Sequence, residues 1–211
     1  MAACDTEGMA SWPGLFDAEL PPGFHYRQEF ITETQERDLL DAITGVAFSD
    51  FELRGVVARR RVAFFGQTYD RESAGPIPDF LLPLREMIAA WADVDGSAFA
   101  MALINAYPPG APIGWHRDAP QYAIVAGVSL LSACRMKFRP YRRPGAHDPG
   151  GARRQATHEL LLDRRSAYLM TADSRSAFEH HIPAVAQQRY SITFRTLRTQ
   201  GRERAVLDAP A

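Results

Sequence analysis

The sequence predicts a mainly β protein with flanking helices, an α+β arrangement in which the helices come first. Short apolar runs recur after Gly96, and turns rich in proline and glycine separate them. The helical patterns all lie before that residue. Many short strands separated by such turns are typical of a β-sandwich or a jelly roll.

The composition is that of an ordinary globular protein. The chain has 211 residues, of which 46% are hydrophobic and 23% charged, and its formal net charge is −1. This balance excludes a mainly disordered chain and a strongly basic, non-specific polyanion binder. No apolar stretch reaches the roughly 18 residues of a membrane span. Cys4 and Cys134 are too few for a disulfide framework, and the first 20 residues lack the order of a secretory signal, so we expect a cytoplasmic protein.

We predict one domain over residues 1–211, because no linker-like stretch divides the chain. Residues 1 to about 96 form an N-terminal extension with helices. Residues from about 97 to 199 form the β-rich core, and residues 200–211 form a tail.

The N-terminal part predicts two strands and a helix between them. Residues 24–31 have the pattern of a short strand. Thr32, followed by Gln35 three residues later, resembles a capping box and predicts that a helix begins there. Its apolar positions recur at helical spacing, and Gly45 ends it. Residues 60–65 follow as a strand.

A second helix is predicted over residues 79–93, with Pro83 near its first turn, where proline is tolerated. Its apolar side chains form one stripe, made of Phe80, Leu84, Met87, Ile88 and Trp91. The strand-like runs beyond it are residues 98–107, 122–133, 136–138, 158–162, 167–171 and 189–197.

His116 and Asp118 are the first candidate metal ligands. In an extended segment residues i and i+2 point to the same face, so one imidazole and one carboxylate can reach one metal ion. A distant second histidine is needed, and His180 and His181 are both candidates. Two histidines and one carboxylate are typical of non-haem Fe(II) oxygenases. Zinc hydrolysis can use a similar set.

The predicted strand over residues 189–197 carries polar side chains on one face. Two arginines on one inward face require an anion to balance them. A dicarboxylic co-substrate meets this requirement, since an arginine can bind a carboxylate through two hydrogen bonds. Asn105 and Tyr107 repeat the i, i+2 spacing on an earlier strand. The side chains on the polar face are Arg189, Ser191, Thr193 and Arg195.

Taken together, these motifs resemble the AlkB family of Fe(II)- and 2-oxoglutarate-dependent dioxygenases. The resemblance covers roughly residues 100–197 and depends on the motifs occurring in order. They are Asn105-Ala-Tyr107-Pro-Pro-Gly110 leading to His116-Arg-Asp118, then His180-His-Ile182-Pro183, then Arg189-Tyr-Ser-Ile-Thr-Phe-Arg195. Residues 59–69 resemble the family's substrate-facing N-terminal part more loosely.

The resemblance implies a double-stranded β-helix, which is a jelly roll, with helices packed outside. It also implies a role for each matching residue. His116, Asp118 and His180 would ligate Fe(II), and Asn105, Tyr107, Arg189, Arg195 and Ser191 would bind 2-oxoglutarate. His181 stands where a small residue is common and is a competing ligand, although the spacing to Ile182 and Pro183 favours His180.

The activity implied is oxidative dealkylation of nucleic acid bases, as in DNA repair. N1-methyladenine and N3-methylcytosine are the obvious substrates, in DNA or RNA, with release of formaldehyde, succinate and CO2. On the substrate side, Arg59 and Arg61 share one strand face and are predicted to contact phosphates. Phe65 or Tyr69 would stack on an extruded base. A solvated edge strand explains the arginines equally well.

One departure keeps other functions open. Some family members carry a second acid two residues after the metal aspartate, and here that position is Pro120. With the near-neutral charge, this leaves an oxygenase acting on a protein or a small molecule as one alternative. A non-catalytic nucleic-acid-binding module is the second. Neither a membrane nor an obligate protein partner is predicted.

Overall fold

The computed structural model describes residues 20–53, 55–67, 74–142 and 157–198. In these ranges two antiparallel sheets pack against each other, and helices cover the outer face of the larger sheet. In chain order the strands are β1 (Phe24–Arg27), β2 (Ser49–Leu53), β3 (Val56–Gly66), β4 (Met101–Tyr107), β5 (Ile113–His116), β6 (Tyr122–Leu130), β7 (Cys134–Pro140), β8 (His158–Leu162), β9 (Ala167–Met170), β10 (Phe178–Ile182) and β11 (Arg189–Leu197).

The larger sheet has seven strands in the order β1-β9-β6-β11-β4-β3-β2, and the smaller has four in the order β5-β10-β7-β8. This is a jelly roll, so the predicted fold class is confirmed. The strands β1 and β3 come from the predicted N-terminal extension, yet they pair with β9 and β4. The strands of the extension therefore complete the larger sheet, and its helices cover that sheet.

The two faces of the larger sheet bury two different cores. On β11, Ile192 and Phe194 point toward the helices, while Ser191 and Thr193 point toward the smaller sheet. This alternation follows from the period of two residues along a strand. Between the sheets, Leu103 of β4 belongs to the same apolar cluster as Met136 and other residues of the smaller sheet.

The helices are α1 (Glu33–Ile43), α2 (Leu82–Ala92) and α3 (Ala172–Ser176). The predicted capping box of α1 is confirmed, because the Gln35 amide donates to Thr32 Oγ1 at 3.2 Å and the Thr32 amide donates to Gln35 Oε1 at 2.8 Å. A 3-10 turn over Asp79–Leu81 precedes α2, and Asp93 ends α2 with φ 54°. The predicted stripe of α2 packs on the sheet. None of the helices in the described ranges is long and apolar enough to cross a membrane.

The strand boundaries differ from the prediction where the backbone turns left-handed. Strand β1 stops at Arg27, and Glu29 has φ 45°; β6 stops at Leu130, and Leu131 has φ 73°. The strands β2, β5 and β10 were not predicted. Each is four or five residues long and rich in polar side chains or glycine. They are strands because they pair with neighbouring strands, and no apolar pattern in the sequence marks them. Cys4, Tyr69 and the tail over residues 200–211 lie outside the described residues.

Candidate metal and co-substrate site

The structure brings the three predicted metal ligands together. His116 ends β5 and lies directly opposite His180 of the neighbouring strand β10, and their ring centroids are 4.2 Å apart. Asp118 follows two residues after β5, and its Oδ2 lies 3.7 Å from Nε2 of His180. The short strands β5 and β10 therefore exist as a pair that sets the two imidazoles side by side.

Both imidazoles are suited to act as neutral ligands. His116 Nδ1 lies 2.9 Å from the carbonyl oxygen of Gly114, which favours a proton on Nδ1 and leaves the Nε2 lone pair available. Burial lowers the pKa of His180 to about 3, and the neighbouring His116 acts in the same direction, although Asp118 opposes it. A histidine with a lowered pKa stays neutral at physiological pH, as metal binding requires.

Asp118 is a buried carboxylate in which one oxygen accepts a hydrogen bond and the other has no donor among the described residues. Burial by itself would raise the pKa of Asp118, but Arg195, His180, His116 and Arg175 together hold it well below its usual range. Its Oδ1 accepts a hydrogen bond from Arg195 Nη2 at 3.0 Å. Its Oδ2 is buried and has no hydrogen-bond donor among the described residues. That oxygen faces the imidazole of His180, where a metal ligand is needed.

Fe(II) fits this donor set by its chemistry, since the set consists of two imidazoles and one ionised carboxylate. Among the described residues, no three histidine, cysteine or carboxylate side chains are already arranged to hold a metal ion. The fit therefore rests on the unpartnered Asp118 oxygen and on the available imidazole nitrogens.

His181 does not join this group. Its Nδ1 lies 2.5 Å from the carbonyl oxygen of Ile113, and its ring lies 5.0 Å from that of Trp115. On β10, consecutive residues point to opposite faces, so His180 faces the cavity and His181 faces away from it. The preference for His180 over His181 agrees with this geometry.

A cavity between the sheets adjoins the three candidate ligands, and Arg189 is its most buried cation. The Arg189 side chain is 1% exposed, and its Nε donates to Ser129 Oγ at 3.2 Å. Its Nη1 is buried without a hydrogen-bond partner in the described part of the chain. An unpaired guanidinium N–H is costly in a low-dielectric interior. A carboxylate bound in the cavity would satisfy it, so 2-oxoglutarate fits this side of the site.

The other predicted co-substrate residues line the same cavity. Register pairs Arg189 with Tyr107 and Ser191 with Asn105, and the Arg189 guanidinium lies 5.0 Å from the Tyr107 ring centroid. Asn105 Nδ2 donates to Ser191 Oγ at 3.4 Å. Arg195 sits at the metal end of the cavity, where it joins Asp118 to Thr193 Oγ1. The cavity thus has an anion-binding end at Arg189 and a metal-binding end at Asp118.

The predicted substrate residues on β3 do not reach this cavity. Phe65 packs on the helix side of the sheet, and Arg61 pairs with Asp50 and the carbonyl oxygen of Phe48 on the surface. Arg59 lies against Gly110 and is exposed. On β3 the even-numbered side chains face the space between the sheets: Arg60 lines the cavity, and Phe64 packs in the core there. The phosphate contacts of Arg59 and Arg61 stay predictions.

Three side chains at the site were not predicted: Arg60, Tyr168 and Arg175. Arg60 Nε donates to Asn105 Oδ1 at 3.2 Å, and its guanidinium lies 4.2 Å from the Phe51 ring centroid. Arg175 of α3 donates to the carbonyl oxygens of Ala119 and Tyr122, both at 3.0 Å. Alternation along the run of residues 167–171 is the only sequence signal for Tyr168. For Arg175 no signal distinguishes it from a surface arginine.

Comparison with known proteins identifies the family. The profile of the 2OG-Fe(II) oxygenase superfamily matches residues 55–198. An Arabidopsis thaliana protein described as "Alkylated DNA repair protein ALKBH8 homolog" is 26% identical over 80% of this chain and 53% of its own length. A Danio rerio protein described as "Probable RNA/DNA demethylase ALKBH6" is 28% identical over 80% of this chain and 73% of its own. This chain thus spans about half the length of the Arabidopsis relative.

Solved structures share the fold at low sequence identity. The structure of OsALKBH1 superposes with a TM-score of 0.62 at 13% identity, covering 84% of this chain and all of that one. A prolyl hydroxylase from Trichoplax adhaerens superposes with a TM-score of 0.58 at 14% identity, covering 83% of each chain. The chain therefore belongs to the 2OG-Fe(II) oxygenase superfamily and, within it, to the AlkB family.

Membership in this family confirms several predictions. The matched residues form a dioxygenase domain that uses Fe(II) as its cofactor and 2-oxoglutarate as its co-substrate.

Proposed function

We propose that this protein dealkylates N-methylated bases in nucleic acid. In this proposal His116, Asp118 and His180 hold Fe(II). The co-substrate lies with its distal carboxylate on Arg189. Asn105, Tyr107, Ser191 and Arg195 surround it. The single observation that carries the co-substrate assignment is the buried, unpartnered Nη1 of Arg189 at one end of the cavity.

A groove beside His116 and Asp118 supports a nucleic acid as substrate. Aromatic and cationic side chains line it together, which suits a planar base joined to a phosphate backbone. The guanidinium of Arg117 lies 3.4 Å from the Tyr141 ring centroid, and Trp115 and Arg198 line the same groove. The names of the Arabidopsis and Danio relatives, which mention DNA and RNA, point the same way.

Bound Fe(II), with 2-oxoglutarate and O2, supplies the oxidising power for hydroxylating a C–H bond. Overall, N–CH3, O2 and 2-oxoglutarate become N–H, formaldehyde, succinate and CO2. The protein residues supply orientation and charge. Arg195 keeps Asp118 ionised, Arg189 anchors the co-substrate, and the apolar residues between the sheets exclude bulk water.

The test uses anaerobically reconstituted Fe(II) protein, 2-oxoglutarate and matched DNA and RNA oligonucleotides carrying N1-methyladenine or N3-methylcytosine. Succinate and the oligonucleotide mass are followed after O2 is admitted. The expected result is a mass loss equal to one CH2 group per lesion with stoichiometric succinate, and neither change in His116→Ala or Arg189→Ala. Succinate formation without any demethylation would overturn the nucleic-acid substrate.

A second candidate substrate is a protein side chain or a small molecule. Pro120 favours it, because a proline at this exposed position cannot contact the substrate as a carboxylate. Succinate formation that a protein extract stimulates and methylated oligonucleotides do not would support this candidate.

A further inference from the structure

We propose that Tyr168 binds the co-substrate, with its hydroxyl donating a hydrogen bond to a carboxylate of 2-oxoglutarate. The inference rests on the proposed placement of 2-oxoglutarate in the cavity between the sheets, and it does not depend on which substrate is oxidised. Tyr168 belongs to β9, two strands away from β11, which carries the predicted co-substrate arginines.

A glycine lets the Tyr168 ring reach the cavity from β9. In the sheet order β9-β6-β11, Tyr168 lies opposite Gly127 of β6, which in turn lies opposite Thr193 of β11. A Cβ atom placed on Gly127 would lie 2.4 Å from Cζ and 2.5 Å from the hydroxyl oxygen of Tyr168. The ring therefore crosses over the backbone of Gly127, and any larger residue at that position would displace it.

The Tyr168 ring is packed in place, and its hydroxyl has no hydrogen-bond partner among the described residues. Phe24 stacks on the ring at a centroid distance of 5.8 Å and an interplanar angle of 15°. The residue is 9% exposed and lines the cavity, yet its hydroxyl makes no hydrogen bond within the described part of the chain. Unlike Arg189 Nη1, the hydroxyl oxygen is not among the fully buried atoms that lack a partner, so it is open to the cavity and a ligand there can reach it. A carboxylate in the cavity would supply an acceptor.

The charges around the hydroxyl are those of an anion site. Burial raises the pKa of Tyr168, as do the nearby Asp118 and Tyr107, while Arg195 and Arg189 act in the opposite direction. The phenol is therefore protonated at neutral pH and is a hydrogen-bond donor. Its partner must be an acceptor that the two guanidiniums also attract, which describes a carboxylate.

Tyr168→Phe removes this donor and keeps the ring that packs on Phe24. Isothermal titration of Mn(II)-substituted protein with 2-oxoglutarate measures the effect without turnover. We expect the Kd of 2-oxoglutarate to rise about tenfold, as for loss of one hydrogen bond to a charged group, while the Kd of Mn(II) stays unchanged. The matched control is Tyr26→Phe, which removes a hydroxyl bonded to Asp163 outside the cavity and leaves both constants unchanged.

An unchanged Kd of 2-oxoglutarate in Tyr168→Phe would overturn the inference. If the variant folds only in part, the stoichiometry of Mn(II) binding gives the folded fraction, and the Kd of that fraction still decides. Steady-state kinetics give a second measurement, in which KM for 2-oxoglutarate rises about tenfold and kcat changes less than about twofold. The two proposals can fail separately. If Tyr168→Phe weakens 2-oxoglutarate binding and the wild-type enzyme leaves every methylated oligonucleotide intact, this inference holds and the proposed substrate is rejected.

Discussion

Arg195 and Asp118 form a buried ion pair in which Arg195 Nη2 donates to Asp118 Oδ1 at 3.0 Å. Their side chains are 11% and 9% exposed, so solvent screens the pair little. The pair holds one carboxylate oxygen and leaves the other facing His180. Arg195 thereby links the co-substrate strand β11 to the candidate metal ligands.

Removing one member of this pair should destabilise the fold. We expect Arg195→Met to lower the free energy of unfolding of the metal-free protein by about 3 kcal/mol, because it leaves a buried charge unpaired. Urea denaturation followed by circular dichroism measures this. Arg61→Met is the control, since its pair with Asp50 is exposed and contributes less than about 1 kcal/mol. Equal losses in the two variants would contradict the prediction.

The two adjacent histidines should behave differently toward a metal ion. His180→Ala is expected to weaken Co(II) binding at least about 100-fold, because it removes a proposed ligand. His181→Ala, which loses only contacts with Ile113 and Trp115, should change Co(II) affinity less than about tenfold. The visible absorption of bound Co(II), titrated anaerobically, reports both. The reverse order of effects would assign the ligand to His181.

Arg189 is expected to favour 2-oxoglutarate binding without stabilising the ligand-free protein. Because its Nη1 is buried and unpartnered, Arg189→Met should leave the melting temperature without ligand unchanged or raise it. The same change should abolish the additional rise in melting temperature that 2-oxoglutarate gives the Mn(II)-loaded wild-type protein. Differential scanning fluorimetry measures these temperatures. An additional rise with 2-oxoglutarate that persists in Mn(II)-loaded Arg189→Met would refute the co-substrate assignment.

Arg175 is expected to be a positioning residue for Asp118. Its guanidinium donates to the carbonyl oxygens of Ala119 and Tyr122, and its Nη1 lies 4.0 Å from Asp118 Oδ2. Arg175→Ala should weaken Mn(II) affinity about 10- to 100-fold, as for other groups that orient a ligand. Arg175→Lys should recover part of the loss. Mn(II) titration checks the prediction, with Arg85→Ala as a control on an exposed pair with Glu86.

A variant that unfolds would lower the Mn(II) stoichiometry and not the affinity, so the two effects are separable in the same titration. If folded Arg175→Ala binds Mn(II) as tightly as the wild-type protein, Arg175 does not position Asp118 and only stabilises the segment from Ala119 to Tyr122.

The local patterns along the chain were sufficient for several features of the fold and the site. Alternation placed Arg189 and Ser191 on one face of β11, and a capping box located the start of α1. These features depend on residues two to four positions apart, so the sequence contains all the information needed. The motif over residues 180–183 likewise favoured the histidine that the structure turns toward the cavity.

The sequence alone could not show which side chains of β3 face the cavity or how β3 pairs with its neighbours. Both faces of this strand are apolar beyond the arginines, with Val62 and Phe64 on one and Ala63 and Phe65 on the other. Because the sheet is covered on both sides, alternation cannot say which of Arg59, Arg60 and Arg61 faces the cavity. The register with β4 decides it, by placing Arg60 beside Asn105.

By itself, the sequence determined the jelly-roll class, the family and the candidate ligands, because these follow from short-range spacing and from motifs that occur in a set order. Only the tertiary structure decided which side chains complete the site. Tyr168 reaches the cavity because Gly127 leaves room for its ring, and Arg175 reaches Asp118 from a helix 57 residues away along the chain. Contacts of this kind depend on how strands pair and how sheets pack, and no local pattern encodes them.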